Sequence, residues 1–264
     1  MDTKHRIIVS DILKCLKKIP NESVQLIIAD PPYNIDIAEW DCYEDYIEWA
    51  AEWIHEAFRV LKKTGNIVIF GGFQFENPNR ADLLELVHYI RNHTEFKLVN
   101  VIIWYYKNGI TAHRFFANRH EEIMWFAKSK KYAFNLDDVR IKYDDATLEL
   151  YKKDKRLKLE NLLKGKNPTN VWEISRLNSN SKERVGHPTQ KPQQIIERIV
   201  KSMSSPGDIV FDMFAGSAIT LKVCIENDRD SILCDKDSRL KEYANKQLDL
   251  IKVKKKYELE YEEE

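Results

Sequence analysis

The chain has 264 residues, room for one large α/β domain or a core with one insertion but not for a multi-domain assembly. Hydrophobic residues make up 43% and charged residues 32%, with only 8 Gly and 8 Pro, which excludes disordered, collagenous and low-complexity classes. Lys plus Arg (42) equals Asp plus Glu (42), so a polyanionic partner would have to be held by a local basic surface and not by the net field.

The start, MDTKHRIIVSDILK, lacks the apolar run of an export signal, and nowhere do about 18 apolar residues follow one another. The cysteines Cys15, Cys42, Cys224 and Cys234 form no CxxC pair, which argues against a zinc site or a disulfide framework. The expectation is a cytoplasmic protein with no membrane segment and no metal. From Arg6 onward, short β-branched runs alternate with longer segments of helical period, the mark of a parallel sheet covered by helices. Seven strands are predicted, at 7–10, 24–30, 66–72, 97–106, 122–128, 208–214 and 230–235. Between the second and third, Tyr46, Ala50, Trp53, Ile54, Ala57, Phe58 and Leu61 recur at three- and four-residue steps, a stripe that packs on the sheet. A closing helix is predicted over 237–252, with Leu240, Tyr243, Ala244, Leu248 and Ile251 on one side.

The stretch from about 137 to 186 has no clear period and is dense in Lys, Arg, Asn and Ser, so it reads as an insertion. Residues 151–186 hold ten basic side chains against four acidic ones, an excess of +6 in a neutral protein. A solvated loop and a polyanion-facing surface both fit that excess. The tail KVKKKYELEYEEE is a basic block followed by an acidic one with little to bury, and reads as a frayed, solvated end.

At the end of the second predicted strand, Asp30-Pro31-Pro32-Tyr33 places a carboxylate, a fixed carbonyl and an aromatic ring where open α/β sheets bind ligands. The prolines lock φ and stiffen the loop. A planar exocyclic amine, as on adenine or cytosine, is a poor nucleophile because its lone pair is delocalised. If the Asp30 carboxylate and the Pro31 carbonyl each accept one amine hydrogen, the nitrogen is biased toward a tetrahedral shape and its growing positive charge is balanced. Tyr33 supplies a face for stacking. A proline-stiffened turn after a buried strand would carry the same four residues.

Near the C-terminus, DIVFDMFAGSAIT is a strand, a small-residue turn and the start of a helix, a place where a ligand can approach the backbone. About twenty residues on, Asp235 ends the next strand and is placed to accept both ribose hydroxyls of a nucleoside cofactor. The turn does not match GxGxxG, and no P-loop is present.

Together these residues resemble the beta group of DNA amino-methyltransferases, the S-adenosylmethionine-dependent enzymes of restriction–modification systems in which the catalytic tetrapeptide precedes the cofactor loop. Residues 23–34 (SVQLIIADPPYN) resemble the catalytic segment, and residues 211–217 (FDMFAGS) resemble the cofactor turn. His187-Pro188-Thr189-Gln190-Lys191-Pro192 matches the segment leading into the helix before the cofactor strand, while residues 119–129 and Asn170-Val171-Trp172 resemble two further family stretches. The resemblance implies a Rossmann-like methyltransferase sheet of about seven strands, circularly permuted, with an inserted target-recognition region. Residues 1–134 would form the catalytic part of the core, 135–186 the recognition region, 187–252 the cofactor part and 253–264 the charged tail.

By the same resemblance, Asp30, Pro31, Pro32 and Tyr33 hold the target base. Asp11 contacts the cofactor's adenine amine while capping the helix at 12–18, and Asp235 holds its ribose. Phe214, Ala215 and Gly216 line the methionine part, Asp212 and Ser217 are cofactor-binding residues of the same turn, and Thr189 and Lys191 lie near its carboxylate. Arg156, Lys164, Lys166, Arg176, Lys182 and Arg184 of the insertion then face duplex DNA, joined by Lys107, His113 and Arg114 on a second loop. The implied partners are double-stranded DNA, a second copy of the chain and a cognate restriction endonuclease.

The turn departs from the family's usual Gly-Ser-Gly-Thr-Thr by carrying Ala218 where glycine is usual, which should cost cofactor affinity if that position needs φ > 0 or very close backbone approach. Met213 replaces a common proline. An Asp at the head of the tetrapeptide resembles adenine-N6 enzymes, and cytosine-N4 enzymes more often carry Ser there. The predicted function is transfer of methyl to the adenine-N6 amine of a flipped base; the alternatives are a cytosine-N4 methyltransferase and a non-catalytic DNA-binding homologue.

Overall fold

In the computed structural model, residues 2–34, 43–72, 82–109, 112–114 and 116–263 are described. In chain order the elements are β1 (Thr3–Val9), α1 (Ile12–Lys17), β2 (Val24–Ala29), α2 (Tyr46–Val60), β3 (Leu61–Gly71), α3 (Leu83–His93), β4 (Lys97–Tyr105) and β5 (His120–Ala127). There follow α4 (Asp145–Lys152), α5 (Leu159–Lys164), β6 (Val171–Glu173), α6 (Gln193–Met203), β7 (Ile209–Asp212), α7 (Ile219–Glu226), β8 (Asp230–Asp235), α8 (Leu240–Asp249) and β9 (Tyr257–Glu263). One sheet runs β6-β4-β5-β3-β2-β7-β8-β1-β9.

All six residues of β2 are buried, as a central strand covered on both faces demands. Ile27 and Ala29 join the core shared with α1, α2 and α3, while Leu26 and Ile28 face the core shared with α6 and α7. The apolar stripe of α2 is buried at Tyr46, Ala50, Trp53, Ile54 and Ala57, and Leu61 at its end opens β3. α8 packs with Leu240, Tyr243 and Ala244 inward, and β9 follows it as the last element. Among the described residues no helix is long and apolar enough to cross a membrane.

Three expectations are corrected. The sheet is mixed, because β5 runs antiparallel to both β3 and β4; no helix is described between β4 and β5 to return the chain for parallel pairing. The predicted seven strands become nine among the described residues, with β6 pairing parallel to β4 inside the stretch taken as unpatterned. The charged tail is not frayed: Tyr257–Glu263 pairs parallel with all of β1. Its acidic residues meet basic ones on β1 and at the C-cap of α1, with Arg6 Nη2 2.5 Å and Lys18 Nζ 3.4 Å from Glu262. Cross-strand charge neutralisation replaces the burial that the composition lacks.

Candidate functional site

Leaving β2 the chain continues to β3 on one side, and leaving β7 it continues to β8 on the other, so the strand order reverses between β2 and β7. The crevice outside the carboxyl ends of strands at such a reversal is where open α/β sheets bind ligands. β2, β7, β8 and β1 lie side by side and parallel, and their ends carry Asp30, Asp212, Asp235 and Asp11.

Two cavities meet there. The larger, about 510 Å³, is lined by Asp11, Asp30, Phe70, residues 187–191, Asp212, residues 213–217, Asp235 and Arg239 among others. The smaller, about 260 Å³, is lined by Asp30, Pro31, Pro32, Tyr33, Trp104, Glu121, Arg176, Leu177, Arg184 and residues 188–191. Asp30, Pro32 and Lys191 border both. The structure therefore brings all the predicted tetrapeptide and cofactor-loop residues to one crevice, divided by the tetrapeptide.

The tetrapeptide is held from several sides. Tyr46 at the start of α2 donates its hydroxyl to the Pro32 carbonyl (2.9 Å), and Tyr33 donates to Asp30 Oδ1 (2.9 Å). Lys191 Nζ lies 3.0 Å from Asp30 Oδ2, 3.2 Å from the Tyr33 hydroxyl and 3.5 Å from Glu121 Oε2. Burial opposes the Lys191 charge, yet Asp30 and Glu121 outweigh it and hold the ammonium above the ordinary lysine value. Burial, reinforced by Asp30 and Glu121, pushes the Tyr33 phenol well up. Lys191, expected at the cofactor's carboxylate, thus has its ammonium engaged by two carboxylates on the acceptor side.

The glycine turn is shaped by its neighbours. Gly216 has φ +45, and a Cβ there would lie 3.0 Å from His187 Cε1, so the imidazole closes over a bare backbone. Gly216 N–H donates to Asp235 Oδ2 (2.8 Å) and Asp237 N–H to Asp235 Oδ1 (2.9 Å), which fixes the carboxylate at the cavity wall. Asp11 caps α1 through Leu13 N–H (2.9 Å), as expected, and also lines the larger cavity. Phe214 packs against Trp49 and Trp53, with ring centroids 5.9 and 5.8 Å apart.

Ala218 does occupy the left-handed region, at φ +57, and is fully buried as the residue preceding α7. Its N–H still closes the turn on Ala215 O at 2.8 Å, so the cost falls on stability, about 1 kcal/mol relative to glycine. Ala218→Gly is expected to raise the melting temperature by a few degrees at most; a lower melting temperature would contradict the assigned backbone cost.

Asp212 is buried, accepts from the Thr220 hydroxyl through Oδ2, and has no hydrogen-bond partner at Oδ1. Burial, with the nearby charges of Asp30 and Asp235, pushes its carboxyl up to about 7. The unfolded chain releases that proton near pH 4, so between about pH 4 and 7 the folded state holds the extra proton. Stability of the cofactor-free protein should therefore fall as pH rises through that window. Asp212→Asn should raise the melting temperature more at pH 8 than at pH 5, and an equal change at both would remove the perturbed carboxyl.

Of the expected DNA-facing residues, Arg176 and Arg184 border the smaller cavity. Arg176 lies over the Tyr106 ring at 5.2 Å, and Arg184 donates to the His187 carbonyl at 3.0 Å, bracing the segment at 187–192. Lys107 pairs with Glu173 on the surface, and His113, Arg114 and Lys182 are exposed. Arg156 pairs with Asp154 and Lys164 with Asp137. Lys166 lies 6.0 Å from the Tyr143 ring. Arg156, Lys164 and Lys166 are not among the residues lining either cavity. Sequence reasoning gave no role to Trp104 or Glu121, which face each other in register across β4 and β5, nor to the cover that His187 provides for Gly216.

A reversed α/β sheet with a nucleoside-sized cavity, an acidic residue at the end of the second cofactor strand and a carboxylate-bearing pocket beside it defines a group-transfer enzyme with a nucleoside cofactor. Residues 24–246 match the family model described as DNA methylase, and the chain belongs to this N6/N4 DNA methyltransferase family, with S-adenosylmethionine as its cofactor. It is 36% identical over 254 residues to the Type II methyltransferase M.HpaI of Haemophilus parainfluenzae, covering 92% of this chain and 74% of that protein. It is 35% identical over 253 residues to the DNA adenine methyltransferase YhdJ of Escherichia coli, covering 92% and 82%. In fold it is similar to the cytosine-N4-specific PvuII DNA methyltransferase (TM-score 0.70, 18% identity, 93% and 87% coverage). The M1.HpyAVI–SAM complex is a further structural neighbour (TM-score 0.62, 21% identity, 92% and 98% coverage). The cavity fits such a cofactor: its wall holds the Asp235 carboxylate fixed by two backbone N–H groups and Asp212, whose Oδ1 is buried without a hydrogen-bond partner, both of them acceptors for polar hydrogens.

Proposed function

We propose that the chain methylates the N6 amino group of adenine in double-stranded DNA, acting on a base flipped into the smaller cavity. The observation that carries this is the position of Asp30, whose carboxylate lies on the wall between the two cavities. The larger cavity would hold S-adenosylmethionine, with Asp235 at its ribose, Asp11 at its adenine amine, and Asp212, Phe214, Ala215, Gly216, Ser217 and Thr189 along its methionine part. Bound there, the cofactor supplies an electrophilic methyl group on a sulfonium sulfur.

On the acceptor side, Tyr33 stacks the base, and Asp30 and the Pro31 carbonyl accept the two amine hydrogens. These two acceptors turn the nitrogen lone pair toward the larger cavity and oppose the positive charge that grows as the N–C bond forms and the C–S bond breaks. Asp30 then takes the proton released from nitrogen. Arg176 and Arg184 beside the smaller cavity, with Lys107, Arg114, Arg156, Lys164, Lys166 and Lys182 further out, supply phosphate contacts. Adenine is favoured by the carboxylate at the head of the tetrapeptide and by the 35% identity to a relative named as a DNA adenine methyltransferase. We place the protein in the cytoplasm, with a homodimer and a cognate restriction endonuclease as further partners that the family resemblance implies.

The test is transfer from labelled S-adenosylmethionine to mixed-sequence duplex DNA, followed by nucleoside analysis. Label in N6-methyladenine is expected. Label in N4-methylcytosine would keep the mechanism and overturn the base; no label would overturn the enzymatic reading.

A further inference from the structure

The smaller cavity holds a second carboxylate. Glu121, the second residue of β5, is in register with Trp104 of β4, and both line the cavity opposite the tetrapeptide. Its Oε2 is buried and makes no hydrogen bond; its nearest charge is Lys191 Nζ at 3.5 Å. The same ammonium lies 3.0 Å from Asp30 Oδ2, and its side chain is only 11% exposed. One buried cation is thus shared by two carboxylates, in the pocket where a neutral amine must become transiently cationic.

Lys191 alone would work against that chemistry. Paired with Asp30, it would cancel the carboxylate charge that stabilises the developing aminium, and it would occupy the oxygen that must accept an amine hydrogen. Glu121 changes both conditions. With Asp30, Glu121 and Lys191 all charged, this three-residue cluster carries one net negative charge, with Arg176 and Arg184 on other parts of the cavity lining, and the ammonium has a second anion to turn to when the base enters. Resting on the amine-methylation reading, we infer that Glu121 is a positioning residue. It draws the Lys191 ammonium away from Asp30 as the target amine arrives, so that the Asp30 charge is left to face the reacting nitrogen during transfer.

Other titratable or charged groups face this cluster. Tyr33 and Tyr46 adjoin the tetrapeptide; Tyr106, with Arg119 and Arg176 near it, adjoins Glu121; Arg184 lines the same cavity; Glu122 follows in β5; and His187, Asp212 and Asp235 stand on the cofactor side. Tyr33, Tyr106 and Glu122 also feel the Glu121 charge, so the role of Glu121 is read from kcat against KM and from rescue by the conservative variant.

The experiment compares wild type, Glu121→Gln and Glu121→Asp as full chains, with S-adenosylmethionine and the duplex that wild type methylates. In Glu121→Gln, kcat is expected to fall ~10- to 100-fold, less than the ~100- to 1000-fold of a preorganised group at the reacting centre itself because Glu121 acts through Lys191, with KM for both substrates within about threefold. Glu121→Asp should recover part of the rate. An unchanged kcat, a loss confined to KM, or a lower kcat that Glu121→Asp does not partly recover would overturn the role of Glu121 while wild-type turnover upholds methylation. Absence of transfer by the wild type would overturn the methylation reading and this inference with it.

Discussion

Asp30→Ala is expected to lower kcat for methyl transfer on the order of 1000-fold or more while leaving the Kd for duplex DNA within about threefold. Two effects are removed together. One is orientation, since Asp30 is one of two acceptors that hold the amine; the other is the fixed negative charge beside the reacting nitrogen. Each is worth roughly 100-fold or more in comparable preorganised sites. The substitution also leaves the Tyr33 hydroxyl without the acceptor it holds at 2.9 Å and leaves Lys191 facing Glu121 alone. Asp30→Asn separates these contributions, because it keeps the shape and one acceptor oxygen but loses the charge, and it should fall nearly as far as alanine. DNA affinity should persist because phosphate contacts lie on basic residues elsewhere. Single-turnover label transfer beside anisotropy with labelled duplex reads both quantities. Alanine retaining more than about a hundredth of the wild-type rate would sink the orientation mechanism.

The catalytic chemistry was legible in the sequence because it is local. Asp30 to Tyr33 and Phe211 to Ser217 are short runs in which residue type and backbone restriction together state what the loop can do. Each also follows a buried β-branched strand that places it at the carboxyl end of the sheet. Less legible were features produced by pairing at a distance. β9 sets acidic residues beside Arg6, Lys4 and Lys18, more than two hundred positions away, and lays Leu259 on the core; no local window contains that information. β5 is antiparallel because of how the chain returns from β4, which strand periodicity does not encode. Glu121 was visible within a family-like segment, but only the fold shows its oxygen buried beside Lys191 and facing Asp30 across one cation. Ala218 is the instructive intermediate: the sequence marked the position, and the structure showed that alanine accepts the left-handed conformation with the turn intact.

Asp235→Ala should weaken S-adenosylmethionine binding ~100-fold and leave DNA affinity unchanged. The carboxylate lies at the end of β8, where Ser10 N–H donates to the Asp235 backbone carbonyl (2.9 Å) and so brings β1 and Asp11 beside it. Each oxygen already accepts one backbone N–H, from Gly216 and Asp237. Those bonds use a single lone pair on each oxygen and fix the plane of the carboxylate, leaving the remaining lone pairs for two ribose hydroxyls. Two hydrogen bonds to a charged acceptor, at about 1.5 kcal/mol each, correspond to the predicted loss. Burial raises the Asp235 carboxyl above its ordinary value, so cofactor affinity should also decline as pH falls and the carboxylate is protonated. Alanine strips acceptors from the Gly216 and Asp237 N–H groups as well, which loosens the turn under His187 and lowers the melting temperature of the cofactor-free protein. Asp235→Asn distinguishes the two consequences, because it keeps an acceptor for one backbone N–H while losing the charge that binds the diol. Calorimetric titration should show asparagine close to alanine in affinity but closer to wild type in melting temperature. Affinity unchanged in both variants would remove Asp235 from the cofactor site and leave it a strut of the glycine turn.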